Sequence, residues 1–380
     1  MKKEMMRKVN ELTILNEIYN NYGISRAGIS KRVGLNKVTV SDILKKLIAN
    51  NLVLEIGEGE SSDVGGRKPV LLQINKEYSF TMSLDFAYDY IDYMTNYLDG
   101  SIIKYDRVNT EGMSPGERIK LIKEIINQNM ITSTSAGLAG ICVSIHGIVY
   151  HNEILYSPHV EMADIDIAQV LEDEYHVPIL LENEANLAAV YERDFANDAE
   201  ITDNIVCVSI HHGLGAGIII DNKLYRGMNG EAGELGHTNI DGQATFEDYC
   251  TETALLRNVA RVQNVDKINF KELRNLIVNQ DEATAQVVAE FKQHLVLLIE
   301  NIIMTFSPVS VILNSDLFVE VPELLDGFPR MVSTTTHQAT PVKISSNSKN
   351  ATLLGGCALI TRTVLGLRRE RMRFSEQNND

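Results

Sequence analysis

GLGAGIIIDNKLYRGMNGEAGELGH, residues 213–237, is the stretch on which the fold turns. It opens with a glycine-rich turn, GLGAG, enters an apolar strand, and then spaces its glycines out to Glu234-Leu235-Gly236-His237. Glycine is the residue that tolerates tight turns and close backbone approach. Just upstream, DNIVCVSIHH (203–212) supplies a partner, so the region reads as strand–turn–strand. Outward on either side, VPILLEN (177–183) reads as a strand and EANLAAVYERDF (184–195) as a helix. EATAQVVAEFKQHLVLLIENIIMTF (282–306) is a long helix, VSVILNS (309–315) a strand, and a last helix ends near GLRRERMRF (366–374). Further back, FTMSLDFAYDYIDYMTNYLDG (80–100) is a hairpin of two apolar-rich strands, then a turn at Asp99-Gly100, followed by a helix over PGERIKLIKEIINQN (115–129). AGLAGICVSIHGIVY (136–150) holds a buried strand and DIDIAQVLEDEYH (164–176) a helix. Strands alternating with helices, with a hairpin opening each half, give a two-lobed α/β body.

The chain has 380 residues, 44% hydrophobic and 23% charged, ordinary for a globular protein of two or three domains. No run approaches the 18 or so apolar residues of a membrane span. The basic start, MKKEMMRKVNELT, leads into no apolar core of a signal peptide. Three of the four cysteines, Cys142, Cys207 and Cys357, sit in apolar surroundings and read as free thiols, which fits a reducing cytoplasm.

Net charge is −16, yet residues 1–72 carry 12 basic and 8 acidic side chains, a balance of +4. The remainder carries −20. So abrupt a reversal marks a boundary between a small module that approaches polyanions and a body that repels them.

That module reads as three helices and a wing. Leu12, Leu15, Ile18 and Tyr19 share one helical face from Asn10 to about Asn21. Ser25 caps a second helix that Gly34 ends, and Asn36 caps a third, KVTVSDILKKLIAN, with helix–turn–helix spacing between them. Val40, Ile43, Leu44 and Leu47 form the inner face of the third helix; Lys37, Thr39 and Ser41 form an outer polar face suited to a major groove. VLEIG and PVLLQI read as wing strands around GGRKP (65–69), whose Arg67 and Lys68 suit a narrow minor groove. Ser25, Arg26, Lys37, Thr39, Ser41, Arg67 and Lys68 are the expected DNA contacts. The competing readings are a generic helical hairpin and a solvated turn.

The 213–237 stretch resembles the signature of the ROK family of bacterial repressors, open reading frames and sugar kinases. With its winged helix, the chain looks like the repressor branch, most like the xylose-responsive repressors. The resemblance extends over nearly the whole chain. It implies a winged helix-turn-helix (1–75) followed by a two-lobed actin/hexokinase-like, ribonuclease H-like sugar-kinase fold. The lobes are expected at 76–200 and 201–380, with the C-terminal helix packing back on the first.

The resemblance also implies a monosaccharide in the cleft between lobes, held by Asn183 and Glu184 of the ENEAN stretch, by Glu234 and His237, and by Glu252. Carboxylates, an amide and an imidazole suit hydroxyls that both donate and accept. The competing readings are a strand-end cap for Asn183 and a helix-terminus pair for Glu234 and His237.

The family's kinases use Asp where this chain has Glu184, and a D-x-G-G-T turn where this chain has DFAYDY. Asp85 is kept, but Ala87, Tyr88 and Asp89 replace the permissive residues, which opposes a polyphosphate. Asn314-Ser315 replaces a Gly-Gly near the adenine site. Family members also carry a structural zinc on the E-x-G-H histidine and three cysteines; only His237 and Cys250 match here, too few for such a site. No cofactor or metal and no catalysis are therefore expected. The implied protein is a dimeric, cytoplasmic repressor of a carbohydrate-utilisation operon that binds operator DNA and is released by a xylose-like sugar. The alternatives are an active ATP-dependent sugar kinase and a repressor governed by a protein partner.

Overall fold

The computed structural model describes residues 2–59, 68–158, 165–196, 202–240, 242–328, 340–367 and 371–375. The chain divides into two compact units: Met1–Val143, Pro158–Leu181 and Gly356–Asp380 in the first, Ser144–Ser157 and Glu182–Gly355 in the second.

The first unit begins with α1 (Lys2–Asn20), β1 (Ile24–Ser25), α2 (Arg26–Val33), α3 (Lys37–Ala49), β2 (Val53–Glu58) and β3 (Val70–Ile74). Helix α1 starts earlier than its apolar stripe. The segment before Asn10 is rich in Lys, Met, Arg and Glu, good helix formers with nothing to bury, so Met5, Met6 and Val9 stay exposed. Ser25 accepts the Gly28 N–H at 3.1 Å and Asn36 the Thr39 N–H at 2.9 Å, while Gly34 ends α2 at φ +69°. Ile14, Ile18, Ile29, Val40, Leu44 and Leu72 are buried among these elements, each contributing roughly 1.5–3 kcal/mol of apolar burial. The strands form one antiparallel sheet in the order β1-β3-β2, with a bulge between Glu55 and Gly57.

The chain continues through β4 (Phe80–Phe86), β5 (Tyr90–Tyr97), β6 (Ile102–Asn109), α4 (Pro115–Gln128), β7 (Leu138–Ile145), the hairpin β8 (Ile148–Tyr150) and β9 (Glu153–Tyr156), which belongs to the second unit, and then α5 (Ile167–Tyr175) and β10 (Ile179–Asn183). Strand order is β10-β7-β4-β5-β6. All seven residues of β4 are buried, the polar Thr81, Ser83 and Asp85 as well as the apolar residues that alternate with them, because both faces of the strand are covered. β6, beyond the Asp99-Gly100 turn, is an edge strand with mostly exposed or half-exposed residues, too polar to announce itself in the sequence.

The winged helix is tied into this unit. Tyr19 donates to the Leu98 carbonyl at 2.7 Å and meets Phe374 edge-on, ring centroids 5.4 Å apart. Asn20 donates to Arg371 O at 2.8 Å and accepts the Arg373 N–H at 3.0 Å.

The second unit holds α6 (Glu184–Asp194), β11 (Ile205–Ile210), β12 (Leu214–Ile220), β13 (Lys223–Leu224), α7 (Phe246–Cys250), α8 (Glu252–Gln263), α9 (Phe270–Val278), α10 (Glu282–Phe306), β14 (Ser310–Asn314), α11 (Asp316–Glu320) and β15 (Val342–Ile344); α12 (Ala351–Leu365) begins in it. Its sheet runs β13-β12-β11-β14-β15, with β11 antiparallel to β12 and parallel to β14. Val206, Val208, Ile218, Val311 and Leu313 bury against Phe291, Leu295 and Ile299 of α10. Among the described residues no helix is long and apolar enough to cross a membrane.

The glycines of 213–237 are packing residues. A Cβ on Gly217 would stand 2.3 Å from the Ala185 carbonyl oxygen and 2.4 Å from the Ala189 methyl, so β12 touches α6 backbone-close. Gly233, at φ +99°, lies where a Cβ would sit 1.8 Å from the Ala216 oxygen. These contacts set the depth at which the turn 211–213 and the Glu234–His237 segment lie against β12.

Candidate functional site

All five expected sugar-binding residues fall in the second unit: Glu184 with Glu252, Glu234 with His237, and Asn183 as the cap of α6. Glu184 is the first residue of α6 and is buried. Its Oε1 accepts the hydroxyls of Ser209 at 3.0 Å and Thr352 at 3.2 Å. It also lies 3.7 Å from His211 Nε2. Glu252 opens α8; its Oε1 accepts the Ser315 hydroxyl at 2.7 Å and lies 3.6 Å from His211 Nδ1. Asn314 donates to Ser209 at 3.0 Å. The result is a closed polar ring of Asn314, Ser209, Glu184, His211, Glu252 and Ser315, seated where β11 and β14 end. Asn314 and Ser315 each bond within this ring, and Ser315 also caps α11.

Burial opposes charge on the His211 ring, but Glu252 first, then Glu184 and Asp316, outweigh it and lift the imidazole to about 9. His211 is therefore an imidazolium at neutral pH. Sequence reasoning missed it. The doubled His211-His212 ahead of a glycine turn, at the carboxyl end of a strand, was the available signal.

Glu234 and His237 form the second group. His237 is exposed, its Nε2 3.8 Å from Glu234 and its Nδ1 3.8 Å from Glu247. Burial holds both carboxyls above the ordinary carboxylate range, with His237 pulling them back. Glu234 starts the short 3₁₀ turn Leu235–His237 but makes no side-chain cap. Glu247 was also missed; it lies early in the short α7, and a Cβ on Gly213 would be 3.0 Å from its Oε1.

Asn183 does serve as a cap. Its Oδ1 accepts the Asn186 N–H at 3.0 Å and its amide donates to Gly147 O at 2.8 Å, leaving one amide hydrogen for a ligand. Behind it, Glu182 is buried. It accepts from the Asn183 N–H and Asn186 Nδ2 at 3.0 Å each, and from Arg226 Nε at 2.7 Å. This anchor fixes the β10–α6 junction from which Asn183 and Glu184 project.

The residues about His237 do not fit a structural zinc. Of the four ligands such a site takes, only His237 and Cys250 are present in this stretch, and Cys250 is fully buried in the core. Among the described residues no group of three or more His, Cys, Asp or Glu is placed to hold a metal. Backbone pairing holds the loop instead: an Asn239–Thr245 bridge, Ile240 N–H to Ala244 O at 2.8 Å, and Phe246 N–H to Thr238 O at 3.2 Å. These bonds lead the chain into α7 and on to Glu252 at the start of α8.

In the first unit, the turn 87–89 is closed by Ala87 N–H to Tyr90 O at 3.1 Å. The buried Arg118 of α4 donates to the carbonyls of Ala87 at 3.1 Å, Tyr88 at 2.7 Å and Thr110 at 3.3 Å. Tyr88 projects outward, 57% exposed. A short hairpin turn pinned by an internal guanidinium has little of the open, glycine-lined backbone that cradles phosphates.

Of the expected DNA contacts, Lys37 and Lys68 are exposed, and Thr39 and Ser41 half-exposed. Ser25 uses its oxygen as the α2 cap, and Arg26 donates to Glu55 of β2 at 2.9 Å. Arg67 lies outside the described residues.

Comparison with known proteins agrees with this architecture. The ROK family model matches residues 81–363, and a winged helix-turn-helix DNA-binding model matches residues 8–53. The chain belongs to the ROK family and carries a DNA-binding module of the winged-helix class. It is similar to the xylose repressor of Lactiplantibacillus pentosus, 37% identical with 98% of each chain covered. It is also similar to the xylose repressor of Staphylococcus xylosus, 36% identical over 97% of this chain and 98% of that one. A solved ROK family transcriptional regulator, a homolog of the E. coli MLC protein, superposes with a TM-score of 0.79 at 22% identity, over 96% of this chain and 98% of its own. A ROK family glucokinase from Streptomyces griseus, solved with glucose and AMPPNP, gives 0.64 at 21% identity over 74% of this chain and 98% of its own. Repressor and kinase thus share the body fold.

Proposed function

We propose that the chain is a sugar-responsive transcriptional repressor of a carbohydrate-utilisation operon, cytoplasmic and dimeric. Residues 1–75 read operator DNA, and the lobes 76–200 and 201–380 carry the effector response. The effector is a neutral monosaccharide, xylose first, contacted by Glu184, Glu252, Glu234, His237 and the remaining amide hydrogen of Asn183. The observation that carries this is the pairing of a winged helix with a cluster of carboxylates and imidazoles suited to hydroxyl groups. Two copies would present two α3 helices to a palindromic site. The sugar shifts the operator equilibrium through its different affinity for the DNA-competent and released states.

The kinase reading is disfavoured by the Arg118-pinned turn and by the engagement of Glu184 with Ser209, Thr352 and His211. A thermal-shift screen across pentoses and hexoses, followed by operator-release assays with any hit, tests the repressor. Stabilisation and release by one sugar are expected, whereas a protein partner as regulator predicts no shift with any of them. Saturable heat on titration with ATP and magnesium would restore the kinase reading.

A further inference from the structure

Glu184 and Glu252 begin two different helices, α6 and α8, and one side chain joins them. His211 Nε2 is 3.7 Å from Glu184 Oε1 and its Nδ1 is 3.6 Å from Glu252 Oε1. Its backbone takes part too, since His211 O accepts the Glu252 N–H at 3.1 Å. Without the ring, two largely buried carboxylates would face the same space with only hydroxyl donors: Ser209 and Thr352 on one, Ser315 on the other.

We propose that His211 is a positioning residue for the effector, a bridge that holds Glu184 and Glu252 as one acceptor pair for the hydroxyls of a neutral carbohydrate. This rests on the effector reading of the second unit. A carboxylate pair spaced by a shared imidazolium offers its outer lone pairs in fixed directions; the same pair without the cation separates by repulsion. The groups that face the ring are Glu184 from α6, Glu252 from α8 and Asp316 from α11. Cys207, on β11, is buried and its thiol is held well above its ordinary range. The three groups that face the ring are all acids, so the positive charge lost near pH 9 is that of His211 itself.

The test is calorimetric titration of the full-length chain with D-xylose from about pH 7 to about pH 10, for wild type, His211→Asn and His211→Lys. Wild-type affinity should hold at neutral pH and fall as the ring deprotonates near 9. His211→Asn should bind about tenfold more weakly at neutral pH, the change that ~1.4 kcal/mol produces, and should lack the fall near 9. His211→Lys, which restores a cation, should recover part of the affinity and move the fall to higher pH; it decides the matter if the Asn variant does not fold. Variants that bind D-xylose as wild type does, with the same pH profile, overturn the bridge and leave the effector reading standing. A wild-type chain that gives no heat with D-xylose overturns the effector reading, and the bridge falls with it.

Discussion

Removing Arg226 would isolate a buried carboxylate at the junction that aims the site. Arg226 Nε and Nη2 reach Glu182 Oε2 at 2.7 and 2.6 Å, while Oε1 takes the Asn183 N–H and the Asn186 amide. The Glu182 side chain is 3% exposed and that of Arg226 39%. Breaking a fully buried pair costs about 3–5 kcal/mol, and an exposed one contributes about 1 kcal/mol or less. Here one partner is dry and the other open enough for water to follow, so Arg226→Ala should cost about 2–3 kcal/mol. For a unit of this size that lowers the melting temperature by roughly 4–12 °C. Adding Glu182→Gln removes the stranded charge but keeps an acceptor for Asn183 and Asn186. The double variant should therefore recover about 1 kcal/mol over Arg226→Ala alone. Thermal denaturation followed by circular dichroism measures both. If Arg226→Ala melts within about 1 °C of wild type, or if Glu182→Gln deepens its loss, Glu182 does not anchor this junction as argued.

Other outcomes follow from the same geometry. Gly217→Ala places a methyl against the Ala185 oxygen and should destabilise by about 3 kcal/mol or more, read as a lost or lowered transition in denaturant. Lys37→Ala should weaken operator binding across sequences and reduce the salt slope by about 1 if Lys37 meets a phosphate, with melting unchanged; fluorescence anisotropy at several salt concentrations reports this. Tyr19→Phe strands the Leu98 carbonyl and should cost about 1–2 kcal/mol in the first unit, detectable as faster hydrogen exchange at the end of α1. His211 is lifted from 6.5 to about 9 on folding. The stability it contributes is fully present below about pH 6.5 and is lost as pH rises through about 9. Denaturant midpoints across that window should fall in wild type more steeply than in His211→Asn.

Much of the fold was legible in the chain. Helix–turn–helix caps at Ser25, Gly34 and Asn36, the buried runs of β4, β11 and β14, and the long α10 all declare themselves by caps or periodicity, which are local properties of sequence. β6 and the start of α1 did not, because one is a half-polar edge and the other is a helix held by propensity rather than by packing. For the site, Asn183, Glu184, Glu234, His237 and Glu252 could be named from motif and chemistry. Their partners could not. His211 lies 27 positions after Glu184 and 41 before Glu252, and only the placement of the α6 and α8 N-termini at the end of β11 brings all three together. Whether Asn183 is a cap, whether Glu182 has a counter-ion, and what holds the loop before Glu252 were likewise settled by tertiary structure. Residue type decides what a side chain can do; side chains far apart in the chain meet through packing, and packing therefore decides what each one faces.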